Sequence, residues 1–481
     1  MTFIEKFLLV IFALLILVGS LLWVLLGHYK EEVLLNLQNR IRNILVYKEY
    51  REVVPVMVNQ AFIVDEDFIA FTDKLIYDRG TSVSLHFKSD SPVEVELEKF
   101  SNDDHEMVWF QKINPKNNAM EVVATTFDGF DHRDFDAYRF QLKNSDSGWF
   151  QLKVKNGRDI RYIPFFVEGD KSSSILFVES TDTMHAYLSA NGLRNYYQQG
   201  RRYLERNFTR PEAYPMDYQL KNFKKSDRLT EVDCKDHLVN PDLLIKSGLD
   251  DLKMVYDISS DDFLEKYENI SRYKLIIFGA HNEYWSPAKI RSIEKFLDSG
   301  GSMLVLGGNT AYRFVRKVHA MKVYWGKSIL NTKYENFIYN YLGSHYDPRG
   351  YDTYSSFKIV DESFPFFKGR KGGMEFGKKT ALAQCGEFMH GASGQETDKF
   401  LGPRTGFSVI ASGNNPGSGG ADVVFKKMDA GGYVLNFGSI SLWHGIGDPV
   451  IKDMIRGFVD LVREPQQDNA VQHRVHDKVP A

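Results

Sequence analysis

The chain has 481 residues, 26% of them charged, with 60 Lys and Arg against 63 Asp and Glu. That length supports two or three domains with cores of their own, and a net charge of −3 without a basic arm or patch argues against a nucleic-acid partner. Two cysteines, Cys234 and Cys385, sit far apart without CxxC or Cys/His spacing, which excludes a disulfide framework and a thiolate zinc site.

From Phe7 to Gly27 the chain runs 21 residues without a charge. At about 1.5 Å per residue this spans a hydrocarbon core of roughly 30 Å. The run is longer than a cleaved signal peptide's apolar stretch, and no small-x-small site follows it, so residues 1–29 read as an uncleaved transmembrane anchor. The short tail before the anchor favours export of the long remainder, although Lys30, Arg40 and Arg42 lean the other way. Residues 30–79 read as a stalk helix and linker. Leu34, Leu37, Ile41 and Ile44 form a seam of little more than one heptad, which allows a homo-oligomer without specifying one.

Between 80 and 170 the hydrophobic period becomes two. TSVSLHFKS, VEVELEKF, YRFQLKN, WFQLKVKN and YIPFFVEG are separated by SDSP, NSDSG and KNGRD, a pattern that predicts a small antiparallel β-sandwich. From 171 to 463 strands and helices alternate. SSILFVEST precedes a helical NGLRNYYQQGRRYLERNF, KMVYDIS precedes SDDFLEKYE, and KLIIFGAH precedes SPAKIRSIEKFLDSGG. SMLVLGGN and GGYVLNFGSI are further strands, and DPVIKDMIRGFVDLV is a last helix. Fully apolar strands need cover on both faces, so this part predicts a parallel α/β sheet of the glutamine-amidotransferase or flavodoxin-like kind. A less regular stretch at about 320–430 carries Gly-rich turns and short strands, and the polar tail 464–481 predicts disorder. GNNPGSGG at 413–420 has a phosphate loop's glycines without the Lys-Ser/Thr or the helix, and reads as a turn.

Ligands of open parallel sheets bind beyond the carboxyl ends of the strands. Three such ends stand out. Ser180, Thr181 and Asp182 follow ILFVE, with His185 and Tyr187 just beyond; His281 and Glu283 follow LIIFG; and Gly307, Gly308 and Asn309 follow MLVL, where glycines allow close backbone approach to a ligand. His281 and Glu283, two apart on extended backbone, face the same way. No G-x-S-x-G or G-x-C-x-G elbow occurs, which argues against a Ser or Cys nucleophile.

The run GAHNEYWS…LDSGGSMLVLGGNTAYRF resembles the C-terminal part of the N,N-dimethylformamidase large-subunit family, in which a His-Pro-Glu-Tyr-Trp stretch precedes a helix and a Leu-Gly-Gly-Asn strand end. TMHAYLSANGLRNYY, GASGQETDKFLGPR and GGYVLNFGSISLW resemble three further family segments in order, so the likeness extends over about residues 80–463. The resemblance implies a bacterial source and an amide hydrolase with one ferric ion held by two tyrosines and one glutamate, a donor set that suits a hard cation. Carried over by motif, Tyr187 is one phenolate and Glu283 the carboxylate, while His281 and Glu396 either support the ligands or act as the catalytic acid/base groups. The position of the other tyrosine is held by Phe150, which cannot ligate a metal, and Asn282 replaces the proline.

Two readings follow. One is a single-pass bacterial inner-membrane hydrolase, its globular part periplasmic, acting on an amide or related C–N bond. The other is a non-catalytic, membrane-tethered binding or assembly protein of the cell envelope that uses the same pocket for a small molecule or glycan.

Overall fold

In the computed structural model, the described residues are 61–63, 68–100, 105–115, 123–125, 129–130, 136–143, 147–187, 209–211, 237–318, 321–378 and 391–464. The expected anchor and stalk helix, the tail beyond Glu464, the helix expected at 191–208 and both cysteines lie outside them, whereas Ala61–Ile63, Ile69–Thr72 and Ile76–Tyr77 of the expected linker are strands. Among the described residues no helix is long and apolar enough to cross a membrane. Ile63–Ala124 and Asp128–Ala481 form one compact unit; the other comprises Met1–Phe62 and Thr125–Phe127.

Antiparallel pairing in the N-terminal part follows the period-two pattern. Val93–Phe100, Gly148–Asn156 and Asp159–Val167 are the centre of a five-stranded sheet, and Ile69–Thr72, Ser82–Lys88 and Asp136–Gln141 form a three-stranded one. Val83, Leu85 and Phe87 from one sheet share a core with Val95, Leu97, Leu152, Val154 and Phe165 from the other, which makes the sandwich. The outward face of the hairpin at Trp149 and Phe166 packs on Met184, Val239, Leu243 and Ile258 of the α/β part.

That part is built on a nine-stranded sheet. In chain order its strands are β1 (Ile175–Glu179), β2 (Asp257–Ser260), β3 (Leu275–Phe278), β4 (Ser302–Val305), β5 (Phe357–Ile359), β6 (Glu375–Phe376), β7 (Ser408–Gly413), β8 (Asp422–Lys427) and β9 (Tyr433–Asn436). The spatial order is β2-β1-β3-β4-β9-β8-β7-β5-β6. Pairing is parallel from β2 to β9 and antiparallel from β9 to β6. The sheet is therefore mixed, because four of the short strands in the irregular stretch extend the parallel half.

Side chains of β1, β3 and β4 alternate between two cores. Leu176, Val178, Ile276, Phe278, Met303 and Val305 face one side; Ile175, Phe177, Leu275, Ile277 and Leu304 face the other. Among the described helices, α1 (Thr181–Tyr187) continues from β1, α2 (Val239–Asp251) and α4 (Pro449–Arg463) cover the second core, and α3 (Pro287–Asp298) covers the first. In α4 the buried residues are Val450, Ile451, Met454, Ile455, Phe458 and Val459, spaced as one face of a helix. Both α3 and α4 start with Pro at the first turn and a side-chain cap: Ser286 Oγ accepts from Lys289 N at 3.0 Å, and Asp448 from Val450 N at 2.8 Å.

Lys289 is fully buried. Its ammonium pairs with Asp261, donates to Asn282 Oδ1 at 2.7 Å and lies 3.9 Å from the Trp285 ring centroid. Removing one member of a buried pair leaves the other charge uncompensated, so Lys289→Met is expected to cost about 3–5 kcal/mol. Urea denaturation of the variant against the parent checks this, and a loss within experimental error would show that the pair does not hold the helix.

Candidate functional site

The segment 279–286 leaves β3 buried but outside the sheet's ladder, so its backbone groups need other partners. Neighbouring elements supply them. Asp242 of α2 accepts from Ala280 N at 2.7 Å, and Thr183 Oγ1 of α1 accepts from Glu283 N at 2.9 Å and Tyr284 N at 3.2 Å. The carbonyls of Ala280, Asn282 and Glu283 accept from Gly308, Ala311 and Arg313 N at 3.1, 2.9 and 2.9 Å. Asn282 is fully buried, and both ends of its amide are used: Nδ2 donates to Ser180 Oγ at 2.7 Å while Oδ1 accepts from Lys289. Gly279 leaves room for the Asp242 carboxylate, which a Cβ there would overlap at 2.0 Å.

The turn after β4 is equally constrained. A Cβ at Gly307 would meet the Ala280 carbonyl at 2.2 Å, and one at Gly308 would meet Ile440 N at 2.7 Å and the Glu396 carbonyl at 2.8 Å. These glycines are required by contact with the protein's own backbone rather than with a ligand, which corrects the expectation from the sequence. Asn309 and Ala311 both have φ of 53°, and Gln395, beside Glu396, has φ of 65°. Such left-handed backbone costs energy in residues with a Cβ and concentrates at functional sites.

Tyr187, His281, Glu283 and Glu396 come together at this end of the sheet. Tyr187 Oη donates to Glu283 Oε2 at 2.7 Å, while His281 Nε2 lies 3.5 Å from the same oxygen and 4.0 Å from Glu396 Oε2. His281 and Glu283 are essentially inaccessible, and the Glu396 side chain is 16% exposed. Neither ring nitrogen of His281 has a hydrogen-bond partner among the described residues. A buried polar side chain left in this way points to a water or ligand.

The two glutamates are pushed in opposite directions. Burial works to raise the Glu283 carboxyl, but the Arg313 guanidinium, with Nε 2.9 Å from Oε1, and the contacts from His281 and Tyr187 outweigh it and hold it below the usual range. Burial pushes Glu396 up to about 7, with the Glu283 charge adding to the rise, against opposing contributions from His281, Arg313 and an Asn309 Nδ2 hydrogen bond. Asp398 is pushed up to about 8 by burial, though the Asn309 and Thr310 backbone N–H groups donate to it.

Several contributors carry no sequence signal of their own. Arg313, inside the quoted run that ends GGNTAYRF, opens the strand Arg313–Val318. The His237 ring sits edge-to-face with Tyr187 at 4.8 Å and with His281 at 5.1 Å, yet nothing in its local sequence marks it. Tyr346, raised by burial and then by the Glu396 charge, approaches from a two-stranded insert formed by Ser344–Asp347 and Thr397–Phe400. Ser180 and Thr183 serve the loop after β3, and Thr181 Oγ1 accepts from Asp261 N at 3.3 Å.

Phe150 is not in this cluster. On its strand it falls on the same face as Leu152 and Val154, fully buried in the sandwich core and stacked on Phe165 at 5.6 Å. The neighbouring Trp149 faces the α/β part and its indole N–H donates to Glu179. Period-two alternation thus overturns the expectation that residue 150 occupies a ligand position in the cleft. The donors do not fit the ferric set implied by resemblance: Phe150 stands at one tyrosine position, the Tyr187 hydroxyl donates to Glu283, and Glu283 already shares its oxygens between Arg313 and Tyr187. No group of three or more His, Cys, Asp or Glu among those residues is arranged to hold a metal ion.

No curated protein matches the chain. Among solved structures, a thua-like protein from Bacteroides uniformis is 16% identical, with 51% of this chain and 95% of that one covered and a TM-score of 0.32. Escherichia coli alpha-2-macroglobulin activated by porcine elastase is 16% identical, with 21% of this chain and 8% of that one covered and a TM-score of 0.16. At those TM-scores neither likeness bears on fold or function. The family model described as N,N-dimethylformamidase beta subunit-like, C-terminal, matches residues 136–453, well over half of the sequence, and the chain belongs to that family.

Proposed function

We propose that the pocket hydrolyses an amide or related C–N bond. The observation that carries this reading is the pair of carboxyls flanking His281, one held below the usual carboxylate range and the other pushed up to about 7. Groups whose environments push their ionisations apart are suited to separate acid and base roles. His281 takes a proton from water as the oxygen attacks the carbonyl carbon. Glu396 gives its proton to the nitrogen as the C–N bond breaks, releasing a carboxylic acid and an amine. The imidazolium then returns a proton to Glu396 across their 4.0 Å separation. Glu283, fixed by Arg313 and Tyr187, supports the imidazolium as it forms.

Binding without turnover is the second reading, favoured by the Glu283–Arg313 pair, which leaves that carboxylate neutralised. We read residues 7–27 as the anchor of a single-pass inner-membrane protein with its globular part in the periplasm, on the strength of the uncharged run.

Two experiments test these readings. Incubation with N,N-dimethylformamide and a series of small amides, followed by NMR, is expected to show amine release that Glu396→Gln reduces by about 10²–10⁴-fold. Glu396 acts here as the acid, so turnover is expected to fall as pH rises through about 7. Saturable binding of an amide without product would favour the binding reading. Removal of residues 1–29 is expected to leave a folded protein that runs as a discrete species on size exclusion without detergent. A continued need for detergent would mean that the apolar run is not the sole membrane contact.

A further inference from the structure

We infer that Arg313 takes the place of a metal ion in this pocket, so that the site's permanent positive charge is a side chain and the pocket works without a resident cation. The inference rests on reading the pocket as the functional site, but not on its hydrolysing anything.

Three observations support it. First, the Arg313 side chain is 8% exposed and its Nε lies 2.9 Å from Oε1 of a fully buried Glu283. A buried carboxylate needs a compensating charge, and this guanidinium already provides one. Second, the guanidinium is fixed from several sides. Arg313 N donates to the Glu283 carbonyl at 2.9 Å, Cζ lies 5.2 Å from the Tyr312 ring centroid, and NH1 is 3.5 Å from Tyr284 Oη. Tyr284–Trp285 also pairs in parallel with Arg313–Phe314, so the backbone that carries the carboxylate and the backbone that carries the cation share a ladder. Third, the remaining oxygen of Glu283 accepts from the Tyr187 hydroxyl at 2.7 Å, which uses the phenol as a proton donor rather than as a phenolate. A hard trivalent cation would require that proton to leave and would meet the guanidinium as a like charge.

The consequence is a pocket whose charge cannot be stripped by chelators. It favours a neutral, polar ligand: Glu283 is compensated by Arg313, and a carboxylate ligand would add a second negative charge beside it and Glu396.

The test uses the purified full chain in detergent, expressed with added iron and zinc and then dialysed. Metal analysis is expected to find less than about one ion per ten chains, since a site that folds around its metal retains it through dialysis. Arg313→Gln is expected to lower the melting temperature, and adding Glu283→Gln is expected to restore most of the loss by removing the orphaned charge. Near one metal per chain, lost on Glu283→Gln, would overturn the inference. So would a metal-free parent in which the second substitution fails to rescue the first. If neither variant folds, the metal content of the parent decides. Absence of amide turnover alone would defeat the hydrolase reading and leave this one standing, because neither metal content nor melting temperature depends on turnover.

Discussion

The buried turn that follows β3 is the constraint on which the pocket depends. Its backbone has left the sheet without reaching solvent, so each polar group must find a partner on another element. Asp242 on α2 and Thr183 on α1 supply acceptors, and the strand end after β4 supplies donors. Three elements far apart in the sequence are thereby locked to one eight-residue segment. This lattice places the backbone of His281 and Glu283, and Tyr187, His237 and Arg313 then meet their side chains. Asn282 has a larger part in it than its replacement of a family proline suggested, because its side chain ties Ser180 to Lys289 through the middle of the turn.

The parallel core was legible in the sequence because its signals are local. Apolar runs such as LIIF and SMLV, and the Ser-Pro and Asp-Pro helix starts, each report their own element. The antiparallel extension was not, since β5 to β8 are short and their pairing depends on partners up to tens of residues away. Helix α2 escaped for a related reason: VNPDLLIKSGLDD has a Pro and a Gly within it and reads as interrupted. Among site residues, Tyr187, His281, Glu283 and Glu396 were found because each sits in a quoted motif. Arg313 also lies in a quoted run, but nothing in GGNTAYRF marks its charge as buried, and His237 lies in none, because a single cation or a single histidine carries no spacing that distinguishes buried from solvated. Phe150 shows the opposite failure. The motif placed it correctly in the chain, but the strand's alternation, anchored by Leu152 and Val154, turned it into the sandwich.

The pocket also has an arithmetic of charge. Glu283, Glu396 and Asp398 converge with Arg313 as the guanidinium at the first of them. Three carboxylates cannot all ionise in a poorly solvated site beside one cation. The charge settles on Glu283, which has the guanidinium in direct contact, while Glu396 and Asp398 are pushed up to about 7 and about 8. Asn309 connects those two. Its backbone N–H donates to Asp398 and its side-chain amide to Glu396, from a left-handed conformation that a β-branched residue would resist. The proton that the proposed reaction needs is therefore stored by desolvation and by the competition for one arginine, and the strained turn after β4 keeps the storing groups in place. Relieving that strain would release the carboxyls toward water, lower the Glu396 ionisation toward its ordinary value, and remove the acid from the pocket without touching any residue that contacts a substrate.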